Sequence, residues 1–518
     1  MILWEKHVIP TDELLRQVVD GKLKQLMEEN SRLLRELSDL KAVSSDLIRK
    51  HARVLTDVWT QPTAVPKDRV FIDDPVFGQL CIEQDLCPVL AHPLVQRLNH
   101  IKQLAFAYLV FPTATHSRLS YSLGACRLAE MAVETILTRD LLYTEEGTRR
   151  IDLTPSQKRS LILKAKAAAM LHDVGHGPFG HALDRLVGFC RPLESVKHPD
   201  KKYSGEYIEK FLAERLPEGV DPGEVAAILG AKRKVGLTGW DCLIADLVDS
   251  SLDIDRMDYL MRDANMTGLS VGDANAPALI DKMRPFQDGE RVVLTYDKSC
   301  LPYLGPFLYT REMMFLNCYD HPRKAAAERI FTRLVESLIE SHGLPIEEIM
   351  MLADEQVLAL LALASAGSAR DGNLLAVLLQ NQEYEVVHER DAKTVESWID
   401  SRAEGLGKQT YVDMPRMWEL TIAEEAGLGK ERAWQVLVVV PAQEVFIPVE
   451  LGTRILFRSA GGYTTEKLSQ VVPSLLVPLQ KLIEARDRIR VFVDARLDSS
   501  TRNSVADVCK RVLGPLEV

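Results

Sequence analysis

The chain has 518 residues, with 74 acidic against 63 basic side chains and a formal net charge of −11. That excess of negative charge argues against binding along a nucleic-acid backbone, which rewards clustered Lys and Arg; a small anion needs only a few local cations. With 46% hydrophobic and 26% charged residues, a mean hydropathy of −0.06 and no apolar run near the ~20 residues a bilayer requires, the composition is that of a globular protein without a membrane span.

The length predicts two or three domains, with pattern changes near 66 and 345: residues 1–66, 67–345 and 346–518. The first residues, MILWEKHVIPTDELL, hold no signal-peptide core, and the eight cysteines form no CxxC pair. Both features predict a cytoplasmic protein with reduced thiols.

In chain order, residues 11–60 read as one long helix. Val19, Leu23, Leu26, Asn30, Leu33, Leu37, Leu40 and Leu47 follow steps of three and four, with Asn30 and later Ser44 at polar a positions. The pattern fits either a parallel coiled coil or a helix packed on its own body, and self-association through 11–60 and the core is the expectation. Pro62 and Pro66 end the helix.

From 67 to 345 the period is helical, with apolar residues at i, i+3 and i+4 in LVQRLNHIKQLAFAYLV, SLGACRLAEMAVETIL and LILKAKAAAMLHDVG. Strand signals are limited to RVFIDD (69–74) and VVLTY (292–296). Helices continue from 346 to 405 around a turn at AGSARDG (366–372). In the last third, WQVLVVVP, EVFIPVE, RILFRS and IRVFVDARL are β-branched runs, with helices near 464–488 and 501–513. The fold class is mostly α, with an N-terminal coiled-coil helix and a C-terminal α+β region.

Chemistry concentrates in LHDVGHGPFGHALD (171–184). Three of the 12 histidines, His172, His176 and His181, crowd beside Asp173 where glycines break a helix. Imidazole with carboxylate suits Mn, Fe, Zn, Ni or Co, with Mg a further candidate. A second cluster, DIDRMDYLMRD (253–263), interleaves Asp255, Asp258 and Tyr259 with Arg256 and Arg262. It reads either as metal-and-phosphate chemistry or as a solvated helix laced with i,i+3 and i,i+4 pairs.

LHDVGHGPFGH, preceded by FPTATHSRLSYSLG (111–124) and followed by DIDRMDYLMRD, resembles the HD-domain deoxynucleoside triphosphate triphosphohydrolases, including the SAM-and-HD-domain dNTPase and bacterial dGTPase-like proteins. The resemblance covers about residues 69–345 and implies an HD helical core. It implies His172, Asp173 and Asp255 as metal ligands and Arg118, Arg256 and Arg311 as phosphate contacts. His176 is implied as the histidine approaching the scissile phosphate, with His181 beside it and Asp255 among the catalytic groups. Gln103 and Leu104 match residues lining the deoxyribose, and Tyr259, Asp263 and Tyr319 those that pack on the sugar and bond its 3′-hydroxyl. Asp320 stands where the family has a base-side glutamine and Phe315 where it has a histidine. The implied reaction hydrolyses a dNTP to deoxynucleoside and triphosphate.

Two departures touch that chemistry. The family pattern HxRxxHS places its fourth ligand at the second histidine, whereas HSRLSYS has Tyr121 there and keeps His116 at the first. After the HD loop, Tyr203-Ser204 aligns with a His-Glu pair. Three completions stand open: Tyr121 as ligand, His116 or His198 from nearby, or a degenerate site in an oligomeric nucleotide-binding regulator or scaffold. An HD phosphodiesterase on another ester is a third class. His92, His100, His321, His342 and His388 read as packed or surface histidines, and Met313-Met314 as core filler.

Overall fold

Local chemistry starts the helices that matter. Ser117 caps helix Arg118–Arg139 by accepting from the Ser120 amide, and Asp140 ends it in a left-handed conformation. Thr154 and Gln157 form a reciprocal capping box, with Pro155 at the first position of helix Pro155–Leu171. Asp253 caps helix Ile254–Thr267, which Gly268 closes at φ +71°. The first of these helices packs on both of the others, most extensively on the second. The computed structural model describes residues 42–61, 63–183, 186, 199–230, 236–272, 274–391, 410–440, 452–486 and 488–513, together with Glu29 and Arg32.

The strands in chain order are β1 (Val70–Asp74), β2 (Gly78–Ile82), β3 (Leu141–Thr144), β4 (Gly147–Arg150), β5 (Met283–Asp288), β6 (Arg291–Asp297), β7 (Tyr384–Asp391), β8 (Val436–Val439), β9 (Arg454–Arg458), β10 (Tyr463–Lys467) and β11 (Arg488–Asp494). Strands β1 and β2 form a hairpin; a mixed sheet runs β10-β9-β6-β5-β3-β4 and an antiparallel one β7-β11-β8. The fold is therefore mostly α with a C-terminal α+β region. One large core runs through the helical body, and a second gathers Trp418, Ile422, Val438, Val491 and Val505 under the β7-β11-β8 sheet.

Three expectations change. Helices do not continue to 405: residues 384–391 form β7, a charged edge strand of the sequence YEVVHERD that pairs along β11, so tertiary pairing outweighs its weak strand pattern. The turn at 366–372 is shorter, because Ser368 caps a helix beginning at Ala369. The stretch from 464 opens as strand β10 before helix Pro473–Arg486; β10 pairs with β9, and β9 with β6, so residues 454–467 extend a sheet of the central region. EVFIPVE lies outside the described residues, as do 11–28, 30–31 and 33–41 of the expected long helix; residues 42–57 are helical.

The loop after residue 171 is tied down from a distance. Buried Asp354 accepts from the Phe179 amide at 2.7 Å and from the Lys102 amide at 2.9 Å. Burial pushes its carboxyl up to about 6, against the two amide donors and Lys102. A folded-state value above the ordinary ~3.9 means that the folded chain holds a proton there which the unfolded chain releases. That contribution is fully present below about pH 4 and is lost as pH rises through 6. Asp354→Asn is expected to flatten this part of the stability profile and, by removing one of two acceptors, to cost about 1–3 kcal/mol. Thermal midpoints at pH 4–7 check this; an unchanged slope would refute it.

Candidate active site

Helix Pro155–Leu171 ends on His172, whose Nδ1 lies 2.7 Å from the Ala169 carbonyl. A carbonyl can only accept, so Nδ1 carries the proton and Nε2 presents its lone pair. That Nε2 is buried without a hydrogen-bond partner, 3.3 Å from Asp255 Oδ1 and 3.4 Å from Asp173 Oδ1. Asp255 Oδ1 is likewise buried and unpartnered, although the Asp255 side chain as a whole is 29% exposed.

Acceptor atoms thus face one another across a gap that suits a proton or a cation, and one imidazole with two carboxylates is a donor set transition metals favour. The residues present fit such an ion. Among the described residues there is no preformed cage of three or more His, Cys, Asp or Glu; two His172–carboxylate contacts share one nitrogen. Burial alone would raise Asp173, but its interactions with the His172 imidazole, the Arg118 guanidinium and His176 outweigh it and hold the carboxyl well below its usual range. Asp255 is pushed up to about 6 by burial, against Arg256 and Arg118.

Arg118 donates to Asp173 Oδ2 at 2.5 Å, while its Nε and other terminal nitrogen are buried without partners. Gly180 makes room for it: a Cβ there would lie 2.1 Å from the guanidinium, at a φ of +50°. The Arg118 amide bonds the Ile101 carbonyl and the Gln103 amide bonds that of His116, which brings Gln103 and Leu104 beside the start of this helix. Gln103 Oε1 is buried without a partner and Leu104 is buried.

His176 Nε2 is 3.3 Å from Asp173 Oδ1 and 3.8 Å from Asp200 Oδ2. The exposed His181 meets the His176 ring edge-on, with ring centres 4.8 Å apart. The Tyr121 ring is buried and stands edge-on to His172 at 5.2 Å.

Helix Ile254–Thr267 divides its residues by face. Asp255, Tyr259 and Asp263, four apart, share one side. Asp263 bonds His116 Nε2 at 2.8 Å and accepts from the Tyr319 hydroxyl at 2.6 Å; the Tyr259 and Tyr319 rings lie 6.0 Å apart. His116 is thereby engaged at Asp263 rather than at His172. On another side, Arg262 grips Asp258 with two bonds, at 2.8 and 2.9 Å, and Asp74 at 2.6 Å. Both Asp258 and Arg262 are fully buried, so the solvated reading of this helix fails. A Cβ at Gly124 would strike Asp258 at 1.9 Å.

The remaining residues fall around these. Arg256 bonds the Ser250 carbonyl and Asp253, securing its own helix start. Arg311 pairs with Glu312 and lies over the Phe315 ring at 4.8 Å. Asp320 is held by Arg486 at 3.2 Å. Tyr259 senses the Arg311, Arg256 and Asp255 charges, which ties the clusters together electrostatically. His198 lies outside the described residues.

Besides Asp354, three residues escaped the sequence reading. Arg97 is fully buried and donates to the carbonyls of Val174 (2.8 Å), His176 (2.7 Å), Met350 (3.1 Å) and Leu352 (3.0 Å), fixing the HD loop; within LVQRLNH it reads as a surface arginine. Asp200 supplies the carboxylate nearest His176 on the side where the alignment offered Tyr203-Ser204. Tyr203 is buried near Tyr207, while Ser204 Oγ accepts from the Gly175 amide and donates to the His172 carbonyl, both at 2.9 Å. Arg486, from helix Pro473–Arg486, lays its guanidinium 3.8 Å above Phe315, beside Glu312 at 3.3 Å.

A His-Asp pair at a helix end is joined by an aspartate from a later helix, the arrangement that the resemblance to HD-domain proteins implies. The chain is 35% identical over 273 residues to deoxynucleoside triphosphate triphosphohydrolase SAMHD1 of Homo sapiens, covering 48% of this chain and 41% of that protein. It is 29% identical over 237 residues to a putative HD domain-containing protein of Acanthamoeba polyphaga mimivirus, covering 44% and 48%. A solved phosphohydrolase from Bacteroides thetaiotaomicron VPI-5482 superposes with a TM-score of 0.57 at 22% identity, over 82% of this chain and all of that one, which shows a shared fold. No protein-family model matches the chain. The chain spans between 41% and 62% of the length of the curated relatives it matches. Among the described residues, no helix is long and apolar enough to cross a membrane.

Proposed function

We propose that the protein is a metal-dependent HD-type hydrolase that converts a deoxynucleoside triphosphate and water to deoxynucleoside and triphosphate. The observation that carries this reading is the buried pair of unpartnered acceptors, His172 Nε2 and Asp255 Oδ1, 3.3 Å apart beside Asp173. Kinship to proteins named deoxynucleoside triphosphate triphosphohydrolase supports the substrate class.

His172, Asp173 and Asp255 would hold the ion, one of Mn, Fe, Zn, Ni, Co or Mg. When bound, such an ion neutralises phosphate charge and lowers the pKa of water. The chain's own residues do the rest. Arg118, with two nitrogens unpartnered, offers donors to phosphate oxygens while its third holds Asp173 in place. His176, flanked by Asp173 and Asp200, would give a proton to the leaving 5′-oxygen. Asp263, fixed between His116 and Tyr319, would accept from a sugar hydroxyl, and the apolar flank of Leu104 and the Gln103 carbonyl would line the sugar.

One observation favours a second reading, a catalytically weakened nucleotide-binding regulator or scaffold. Tyr121 meets His172 through its ring edge, and Ser204 spends its hydroxyl clamping the HD backbone. A neutral phenol is a weaker ligand near pH 7 than imidazole.

Elemental analysis of the purified chain, joined to a triphosphate-release assay over a dNTP panel, tests both. The hydrolase predicts near one transition metal per chain and triphosphate as product; metal-free protein with no release refutes it. Tyr121→His is expected to raise the metal retained through dialysis. A fall in both metal and turnover would instead assign the phenol a working part in the site.

A further inference from the structure

We propose that the outward face of the helix over residues 42–57 is the C-terminal end of a parallel, in-register coiled coil formed with a second copy of this chain. The inference rests on two faces of one helix, independently of the chemistry assigned to the HD site.

One face docks on the body. Ile48 and Ala52 are fully buried, Ser45 Oγ meets His342 Nδ1 at 3.1 Å, and Trp59 Nε1 donates to Gln356 Oε1 at 2.9 Å. The other face points away from the body and carries apolar side chains flanking the exposed Lys50 and His51. Val43 (68% exposed), Leu47 (44%), Val54 (65%) and Val58 (51%) are four of the eleven large hydrophobic side chains left exposed among the described residues. Exposing them together is unfavourable unless something covers them.

The heptad repeat says what covers them. The three- and four-residue steps through Val19, Leu23, Leu26, Asn30, Leu33, Leu37 and Leu40 continue in phase to Ser44, Leu47, His51, Val54 and Val58. Had the repeat served to pack the helix on its own body, positions 47, 51, 54 and 58 would be the buried ones. Instead the body takes 48, 52 and 59, about 100° further round the helix, and leaves the repeat facing out. A repeat whose sequence stays in phase from Val19 to Val58, and whose described positions from 47 to 58 face away from the body, fits a partner helix of the same sequence and register. The polar Asn30 at an a position selects that arrangement, because in register its amide meets its own counterpart across the two-fold axis. Each body is then anchored beside the coiled coil through residues 45–59, so the two HD sites are held at a fixed spacing rather than on a loose tether.

Sedimentation velocity of the full chain is expected to give an even-numbered assembly. The double variant Leu47→Glu/Val54→Glu, altered only at exposed positions, is expected to halve its mass with unchanged circular dichroism. Val54→Cys supplies a second readout that does not depend on weakening anything. Side chains at this d position meet their own counterparts in the proposed arrangement, so copper–phenanthroline oxidation should link two chains, where wild type, with its exposed Cys81, serves as the control. A monomeric wild type, an undiminished mass in the double variant, or a Val54→Cys chain that links no more than wild type would each overturn the proposal. The last outcome would leave an antiparallel partner or the chain's own N-terminal segment as the cover.

Discussion

Asp173→Ala is expected to reduce triphosphate release by roughly 10³-fold or more, the loss that follows when several kcal/mol of electrostatic stabilisation disappear. It is also expected to strip the bound metal. The reason lies in what one carboxylate does. Its Oδ1 faces His172 at 3.4 Å and His176 at 3.3 Å, and its Oδ2 anchors Arg118 at 2.5 Å. Removing it takes away a proposed ligand, the partner that orients the proposed acid, and the clamp on Arg118, the proposed phosphate contact. Asp173→Asn separates these roles: it keeps the volume but not the charge, so metal should fall while folding changes little. If Asp173→Ala retains both metal and turnover, the reading of the site is wrong. If it loses turnover with metal intact, the carboxylate acts through His176 and Arg118 instead.

Arg97→Ala is expected to be the most destabilising single change described here, at roughly 3–5 kcal/mol, because four buried carbonyls lose a charged donor and a cavity opens. Against a typical stability of about 5–15 kcal/mol, that is enough to deplete soluble protein. The arginine is fully buried, and burial lowers its pKa to about 10 without neutralising it at pH 7. Its truncation leaves the carbonyls of Val174, His176, Met350 and Leu352 without their donor and opens a cavity at the back of the HD loop. Arg97→Lys keeps the charge but not the planar fork, and should recover only part of the loss. Urea denaturation of the three proteins checks the order wild type, Arg97→Lys, Arg97→Ala. An Arg97→Ala midpoint close to wild type would show that the loop is held by other means, chiefly Asp354 and Ser204.

The sequence made the centre of the site legible because its residues are neighbours in the chain or lie on one helix face. His172, Asp173, His176 and His181 sit within ten residues, and Asp255, Tyr259 and Asp263 recur every four. Spacing of that kind survives as geometry whenever the helices form. The same reasoning could not separate the solvated from the buried reading of DIDRMDYLMRD, since Asp258 and Arg262 pair alike in both. Burial came from Asp74 on β1 and from the bare Gly124 opposite. Strand β7 was missed for a related cause: an edge strand is stabilised by its neighbour β11, and a charged, half-exposed segment carries little signal of its own.

Composition, helical period and the clustered HD stretch are properties of contiguous residues, so the sequence by itself determined a mostly helical chain, its heptad repeat and the His172-Asp173 pair. Which distant groups complete the site was decided only in three dimensions. Asp255 reaching His172, Asp200 reaching His176, Arg97 and Asp354 bracing the loop, and Arg486 arriving over Phe315 join residues separated by 24 to 255 positions along the chain. Such pairs leave no periodic trace. They are fixed by how the helices pack and by the cost of burying a polar group without a partner, and both act only once the chain has folded.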